Sequence, residues 1–210
     1  MIDPDRFGAE AFRSATDASD RAMADMELYL ELLTDWSGRM NLVGPSALRS
    51  FWPRHALDSA QLLSLAPDAH RWVDIGTGAG LPGIVLAILG RDRPGMAVQL
   101  VESLTKRVVF LREVVFRLEL PATIHHARAE ALRMSETEVV TARAVAPLPR
   151  LLEHTAHLFS PGSTGLFLKG RNVEAEVEEA LQNWRFHYAL SPSQSDPEGR
   201  ILRVWSVRRA

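Results

Sequence analysis

A chain of 210 residues, 46% of them apolar, buries roughly 70% of its unfolded surface, enough for one well-packed domain with an extension. The absence of cysteine excludes disulfides, thiolate metal sites and a cysteine nucleophile, and predicts an intracellular, cytoplasmic location. The formal net charge of −2 gives no global attraction to nucleic acid, so any such partner must be held by a local basic patch.

The opening MIDPDRFGAEAF is acidic and broken, unlike a signal peptide, and no apolar run approaches the about 20 residues of a membrane span. The first forty residues read as helix, with Met26, Leu30, Leu33 and Met40 on an apolar stripe. A second helix is expected after Ser50, with Pro53 in its first turn, ending near Pro67. From Arg71 the pattern changes to alternating strands and helices: RWVDI, then PGIVLAIL, AVQLVE, LTKRVVFLREVVFRL, ATIHH, EVVTARA, LPRLLEHTAHLF, GSTGLFLKG and EAEVEEALQNW. The close differs, because FHYALS and RILRVWSV alternate apolar and polar residues across PSQSDPEG, which predicts an antiparallel hairpin at one sheet edge. The expected fold is α/β, a doubly wound, mostly parallel sheet of the class I methyltransferase (Rossmann-like) kind. A helical extension over 1–66 packs on a core over 67–210 as one folding unit.

The stretch RWVDIGTGAGLPGIVLAIL carries the chemistry. Glycines in the turn after a first strand let a ligand approach the backbone where a Cβ would collide. Gly78, Gly80 and Gly83 fit the G-x-G-x-x-G of a dinucleotide site, whose helix N-terminus receives a pyrophosphate. Asp74 argues against that ligand, since a carboxylate repels a pyrophosphate and attracts the ammonium of an amino-acid moiety. The arrangement Asp74, Gly76, Gly78, Gly80 therefore favours S-adenosylmethionine, with Gly83 left to close packing or to the turn after Pro82. Glu102, ending the second strand, suits ribose hydroxyls in either cofactor class. A purely structural turn is the remaining alternative.

VDIGTGAGLPGIVLAI, followed by LVESLTKRVVFLREV, RAE, TARAVAPL and KG, with NLVGPS and RHALDS upstream, resembles the bacterial small-subunit ribosomal RNA guanine-N(7) methyltransferase family, also called the glucose-inhibited division protein B family. The likeness runs from residue 41 to about residue 170. WSGRMNLV departs from the family where asparagine usually follows the tryptophan and threonine the leucine, and TARAVAPL stands where SRAFAPL is commoner. The resemblance implies methyl transfer from S-adenosyl-L-methionine to nitrogen 7 of a guanine in the 530 loop of 16S rRNA, on the small ribosomal subunit. It also implies a cofactor site of Asp74, Gly76, Gly78, Gly80, Leu81, Glu102, Ala129, Glu130 and Arg143.

The acceptor chemistry is compatible with these residues. A pyrimidine C5 acceptor usually needs a cysteine nucleophile, and the chain has none. An exocyclic amine acceptor is associated with an N/D-P-P-Y/F/W segment after the fourth strand, where this chain has ARAVAPLP. Guanine nitrogen 7 carries a lone pair and no proton, so position and electrostatics suffice and no general base is needed. Arg143 is the candidate catalytic residue, able to donate to guanine oxygen 6 from one side only, because a bidentate contact would cover the nucleophile. Its alternative is a surface ion pair with Glu138 or another acid, and for Glu130 the alternative is an acid at a helix N-terminus.

Of 24 basic residues only Lys106 and Lys169 are lysines. With Arg107 and Arg171 they follow the second and fifth strands, on the edge where α/β sheets bind ligands, and are candidate phosphate contacts. Arg54 and His55 are candidates for bordering the substrate, against an Arg54–Asp58 pair and a buried histidine; Asn41 is an RNA candidate by resemblance, or caps a turn. No metal site is expected, since His125 and His126 point to opposite faces of a strand, and a monomer is expected. A small-molecule methyltransferase, a nicotinamide-dependent oxidoreductase and a non-catalytic binding module are the alternative functions.

Overall fold

The computed structural model describes Ile2 and residues 6–134 and 136–210. Helices α1 (Ala9–Thr16), α2 (Asp20–Met40) and α3 (Pro45–Arg49) come first, then a π-helical turn, Trp52–Leu57, that runs into α4 (Asp58–Leu65). The Ser19 hydroxyl caps α2 by accepting from the Ala22 N–H at 3.2 Å, and Asn41 ends it in the left-handed region at φ +53°. Asn41 thus caps the preceding helix. On the predicted stripe Met26 and Leu33 are fully buried, but Leu30 and Met40 are half-buried, and Tyr29 takes the place between them.

The alternating region forms β1 (Arg71–Ile75), α5 (Gly83–Gly90), β2 (Ala97–Glu102), α6 (Thr105–Arg117), β3 (Ala122–His126), β4 (Val139–Arg143), α7 (Leu148–Thr155), β5 (Thr164–Lys169) and α8 (Val173–Ala180). The hairpin follows as β6 (Trp184–Pro192) and β7 (Arg200–Arg209). Strand order is β3-β2-β1-β4-β5-β7-β6, parallel except for β7, which runs antiparallel to both neighbours. The helix expected over EAEVEEALQNW stops at Ala180, and Trp184, buried in the core on the α7–α8 face, opens β6 opposite Arg209.

Strand alternation splits the core between the two sheet faces. On one face Trp72, Val98 and Leu100 pack with α5, which is apolar nearly all round because the N-terminal helices cover it through Phe12, Met26, Tyr29 and Leu33. On the other, Val73, Ile75, Val140 and Phe167 pack with Leu151 of α7 and Val177 of α8. The N-terminal helices thus share one continuous core with the sheet. Asp74 lies on the α5 face, inside that core.

Candidate functional site

Chain reversal after β1 brings the candidate residues to the carboxyl edge of the sheet. The turn is held by Thr77, whose N–H donates to Val101 O and whose carbonyl accepts from Gly80 N and Leu81 N at 2.8 and 2.9 Å. Its glycines serve different purposes. At Gly80 a Cβ would lie 2.4 Å from Ile84 Cγ1, and at Gly83 it would lie 2.3 Å from Leu100 Cδ2 and 2.7 Å from Asp74 Oδ2, so interior packing demands both. Gly78, at φ +61°, is free of clashes: a Cβ there would lie 3.8 Å from the Gly76 carbonyl and 3.9 Å from Arg107 Nη1. Gly76 also has positive φ, and its Cβ position meets only the Val145 side chain of the loop after β4.

Two acids brace this turn. Asp74 is wholly buried; its oxygens accept from the Gly83 N–H and the Thr141 hydroxyl, each at 2.9 Å. Burial pushes its pKa up to about 6, against the opposing effect of those donors. It is therefore a carboxylate at neutral pH, placed beneath the turn and not in the open cleft. Glu102 accepts from Gly78 N at 3.1 Å and Leu104 N at 2.8 Å, with Arg107 Nη1 at 3.5 Å. It ties the glycine turn to the start of α6.

Two residues that sequence reading did not single out complete the brace. Thr141 of β4 fixes Asp74, and the Tyr29 hydroxyl of α2 donates to the Ala79 carbonyl at 2.7 Å. Burial, reinforced by the Asp74 charge and opposed by Arg143, holds the Tyr29 hydroxyl far above its ordinary pKa, so it remains a neutral donor. The available signal was a tyrosine inside the buried stripe of α2, where its hydroxyl needs a partner.

Arg143, at the end of β4, faces a cleft of about 480 Å³ bordered by Arg54, Asp58, Lys169, Asp196 and Arg200. Among the described residues its buried Nη1 has no hydrogen-bond partner. Burial lowers the guanidinium pKa and the nearby Asp58 carboxylate raises it. The expected alternative partner, Glu138, is committed elsewhere, to Arg71 and the backbone N–H groups of His70 and Arg71. His55 has both ring nitrogens buried and, among the described residues, unpartnered; burial first, then the Arg143 charge, lower its pKa to about 4, so it is neutral.

The Arg54–Asp58 pair considered from spacing does not form. Arg54 instead meets Asp196 of the hairpin loop at 2.8 Å, and Asp58 accepts from the Ser193 and Ser195 hydroxyls at 2.8 and 2.9 Å. These bonds dock the hairpin loop on the N-terminal helices and close one wall of the cleft. Lys169 is also committed within the fold: its ammonium donates to Glu176 at 2.7 Å and to Ala146 O at 2.8 Å, and its side chain is 9% exposed. Arg171 is open to solvent, 3.8 Å from Glu198. Arg200 is a cleft residue that the sequence reading missed.

The remaining candidates lie apart. Ala129 and Glu130 form a 3-10 turn after β3, where Glu130 pairs with His154 of α7. Asn41, Lys106 and Arg107 gather around a separate cavity of about 510 Å³ between the end of α2 and the start of α6. His125 bonds Gln99 and His126 faces the Ser103 carbonyl; among the described residues no group of three metal-ligating side chains occurs.

Comparison with known proteins decides the family. The model of the GidB family, rRNA small subunit methyltransferase G, matches residues 22–196. The chain belongs to the GidB family. Ribosomal RNA small subunit methyltransferase G of Caulobacter vibrioides is 49% identical over 201 residues, covering 96% of this chain and 93% of its own. The protein of that name from Methylorubrum extorquens is 47% identical over 193 residues, covering 91% and 92%. Among solved structures, a mutant of MtNAS in complex with S-adenosylmethionine superposes with a TM-score of 0.58 at 18% identity, covering 95% of this chain and 84% of the other. TrmN from Thermus thermophilus gives 0.53 at 21% identity, covering 70% and 47%. At such identities the likeness is one of fold, and this GidB-family chain has the class I methyltransferase fold expected from its strand pattern.

Proposed function

We propose that this GidB-family protein transfers a methyl group from S-adenosylmethionine to nitrogen 7 of a guanine in the 530 loop of 16S rRNA on the small ribosomal subunit. The observation that carries the reading is the open, positive-φ turn at Gly78, with Glu102 bound beneath it, in a chain that matches the rRNA methyltransferase family over residues 22–196. The residues present fit the cofactor. A side chain at Gly78 would fill the approach to the turn. Glu102 offers about four acceptor positions of which three are used, leaving room for a ribose hydroxyl. The unpartnered Nη1 of Arg143 is a buried donor awaiting an acceptor.

When bound, S-adenosylmethionine supplies an electrophilic methyl group on a sulfonium. The chain's own residues bind and orient. Gly76, Gly78 and Gly80 shape the turn with Leu81, Glu102 takes ribose, Ala129 and Glu130 border the adenosine, and Asp74 places a negative charge beneath the turn that favours a cationic amino-acid moiety. Arg143 donates to guanine oxygen 6 from one side and leaves nitrogen 7 clear. Because that nitrogen has no proton to lose, the neutral His55 is not required as a base. Asn41, Lys106 and Arg107 at one cavity, Arg54 at the rim of the other and the solvent-exposed Arg171 contact the RNA, and His55, with its ring nitrogens buried, backs Arg54 from inside the wall. Lys169 shapes the cleft wall through Glu176.

The test is incubation with labelled S-adenosylmethionine and small subunits from cells lacking this modification, followed by mapping of the labelled nucleotide. Label on nitrogen 7 of a guanine in the 530 loop is expected. Label on any other base, or on a small molecule alone, overturns the reading.

A further inference from the structure

Helix α6 carries apolar side chains in the middle of its solvent face. Its buried face is formed by Val108, Phe110, Leu111 and Val114. Opposite these, at helical spacing, lie Thr105, Val109, Arg112 and Phe116. Val109 is 47% exposed and Phe116 78%, the latter the most exposed large apolar residue among those described. The rest of this face is cationic. Lys106, Arg112 and Arg117 stand on or beside it against a single acid, Glu113, which pairs with Arg117 at 3.5 Å, while Arg107, on the opposite side of the helix, meets Glu102 at 3.5 Å. Among the described residues Lys106 and Arg112 make no ion pair. A chain with a net charge of −2 thus concentrates a surplus of three positive charges on one thirteen-residue helix.

An apolar partner protein would be met by an apolar face with a mixed rim. An exposed aromatic ring beside the unpaired cations Lys106 and Arg112 instead matches RNA, which offers flat bases to the ring and phosphates to the cations. The helix also begins where the proposed substrate contacts lie: Lys106 and Arg107 border the cavity with Asn41. From Lys106 to Phe116 the helix rises about 15 Å, the reach of a few nucleotides. We propose that the outer face of α6 is a second RNA-binding surface, in which Phe116 stacks on an unpaired base while Lys106, Arg112 and Arg117 hold the flanking phosphates. The proposal rests on ribosomal RNA being the substrate.

Three variants test it: Phe116→Ala, Phe116→Leu and Arg112→Ala, assayed by methyl transfer to unmodified small subunits and by the salt dependence of subunit binding. Base–aromatic stacking losses correspond to about tenfold in affinity. Phe116→Ala is expected to raise KM for the subunit about tenfold, with kcat, KM for S-adenosylmethionine and the thermal midpoint unchanged, and with the salt slope intact. Arg112→Ala is expected to lower that slope by about 0.7. Phe116→Leu stays apolar but cannot stack, so it should behave like the alanine variant. Wild-type behaviour of Phe116→Ala overturns the proposal, and so does full activity of Phe116→Leu, which indicates an apolar protein contact. If the wild-type protein leaves the subunit unlabelled, the proposed function fails and this surface with it; if it labels the subunit and the variants match it, only this surface fails.

Discussion

Replacing Tyr29 by phenylalanine removes one oxygen atom from the interior and tests whether α2 holds the glycine turn. The hydroxyl donates to the Ala79 carbonyl at 2.7 Å, and both residues are buried. The ring itself is fixed by packing, edge-on to Phe51 at 5.7 Å, so the variant keeps its place while the carbonyl loses a donor. Leaving a buried acceptor unsatisfied costs about 1–2 kcal/mol. In a chain of this size each kcal/mol shifts the thermal midpoint by about 2–4 °C, giving a fall of about 2–8 °C. The carbonyl belongs to the residue between Gly78 and Gly80, so part of the loss should reach cofactor binding. If 1.4 kcal/mol did so, KM for S-adenosylmethionine would rise about tenfold, with kcat nearly constant. Thermal unfolding and initial-rate kinetics with varied cofactor measure both. A midpoint within about 1 °C of wild type together with an unchanged KM would refute the idea that this hydroxyl positions the turn.

Three other perturbations separate packing, binding and charge. Gly83→Ala forces a Cβ to within 2.3 Å of Leu100 and 2.7 Å of Asp74 and should cost about 1–3 kcal/mol by denaturant unfolding; Gly78→Ala meets no clash but must hold φ +61°, so it should cost about 1 kcal/mol of stability and also weaken cofactor binding. Lys169→Met strips the ammonium from Glu176 and the Ala146 carbonyl and should destabilise the fold by about 1–3 kcal/mol without changing the salt slope of RNA binding; a reduced slope would show that Lys169 contacts phosphate. His55, with its pKa lowered to about 4 from 6.5, takes up a proton in the unfolded chain before the folded one, so its stabilisation is complete above pH 6.5 and drains as pH falls to 4, by about 3 kcal/mol. Urea midpoints for wild type and His55→Gln should therefore converge or cross as pH is lowered through that window. The comparison cancels Asp74, whose raised pKa of about 6 works in the opposite sense, adding stability as pH falls from 6.

What the sequence made legible is what the backbone or a local period dictates. Strand and helix order follows from periodicities confined to a few residues, and the positive-φ turn at Gly76, Gly78 and Gly80 follows from the residue type itself. Glu102 was legible because strand ends in a doubly wound sheet share one edge. Asp74 was legible as an acid beside the turn but not as a buried one, since its burial depends on Leu100 and α5 closing over it. The partners of the charged groups were least legible. Spacing offered Asp58 for Arg54, yet the structure supplies Asp196 from the hairpin loop, and Glu138, considered for Arg143, belongs to Arg71. Tyr29 reaches Ala79 across 50 residues and Thr141 reaches Asp74 across 67. Such contacts are set by tertiary packing, which no local pattern encodes.

The same reasoning explains how an acidic protein can work on RNA. Its acids are not spread against its cations evenly: Asp74 and Glu102 are spent under the glycine turn, Glu176 on Lys169, Asp196 on Arg54 and Glu138 on Arg71. Glu176, Asp196 and Glu138 are each paired with a cation that offsets their charge, and Asp74 and Glu102 are sequestered beneath the turn, away from the α6 face. Among the described residues Lys106 and Arg112 are left without such partners, on a helix that starts at the ligand edge. Net charge is a sum over the whole chain, whereas a polyanion approaching one face responds to the charges within about a Debye length of it. The sign that matters for substrate capture is therefore that of the α6 face and the cleft rim, and both differ from the sign of the chain.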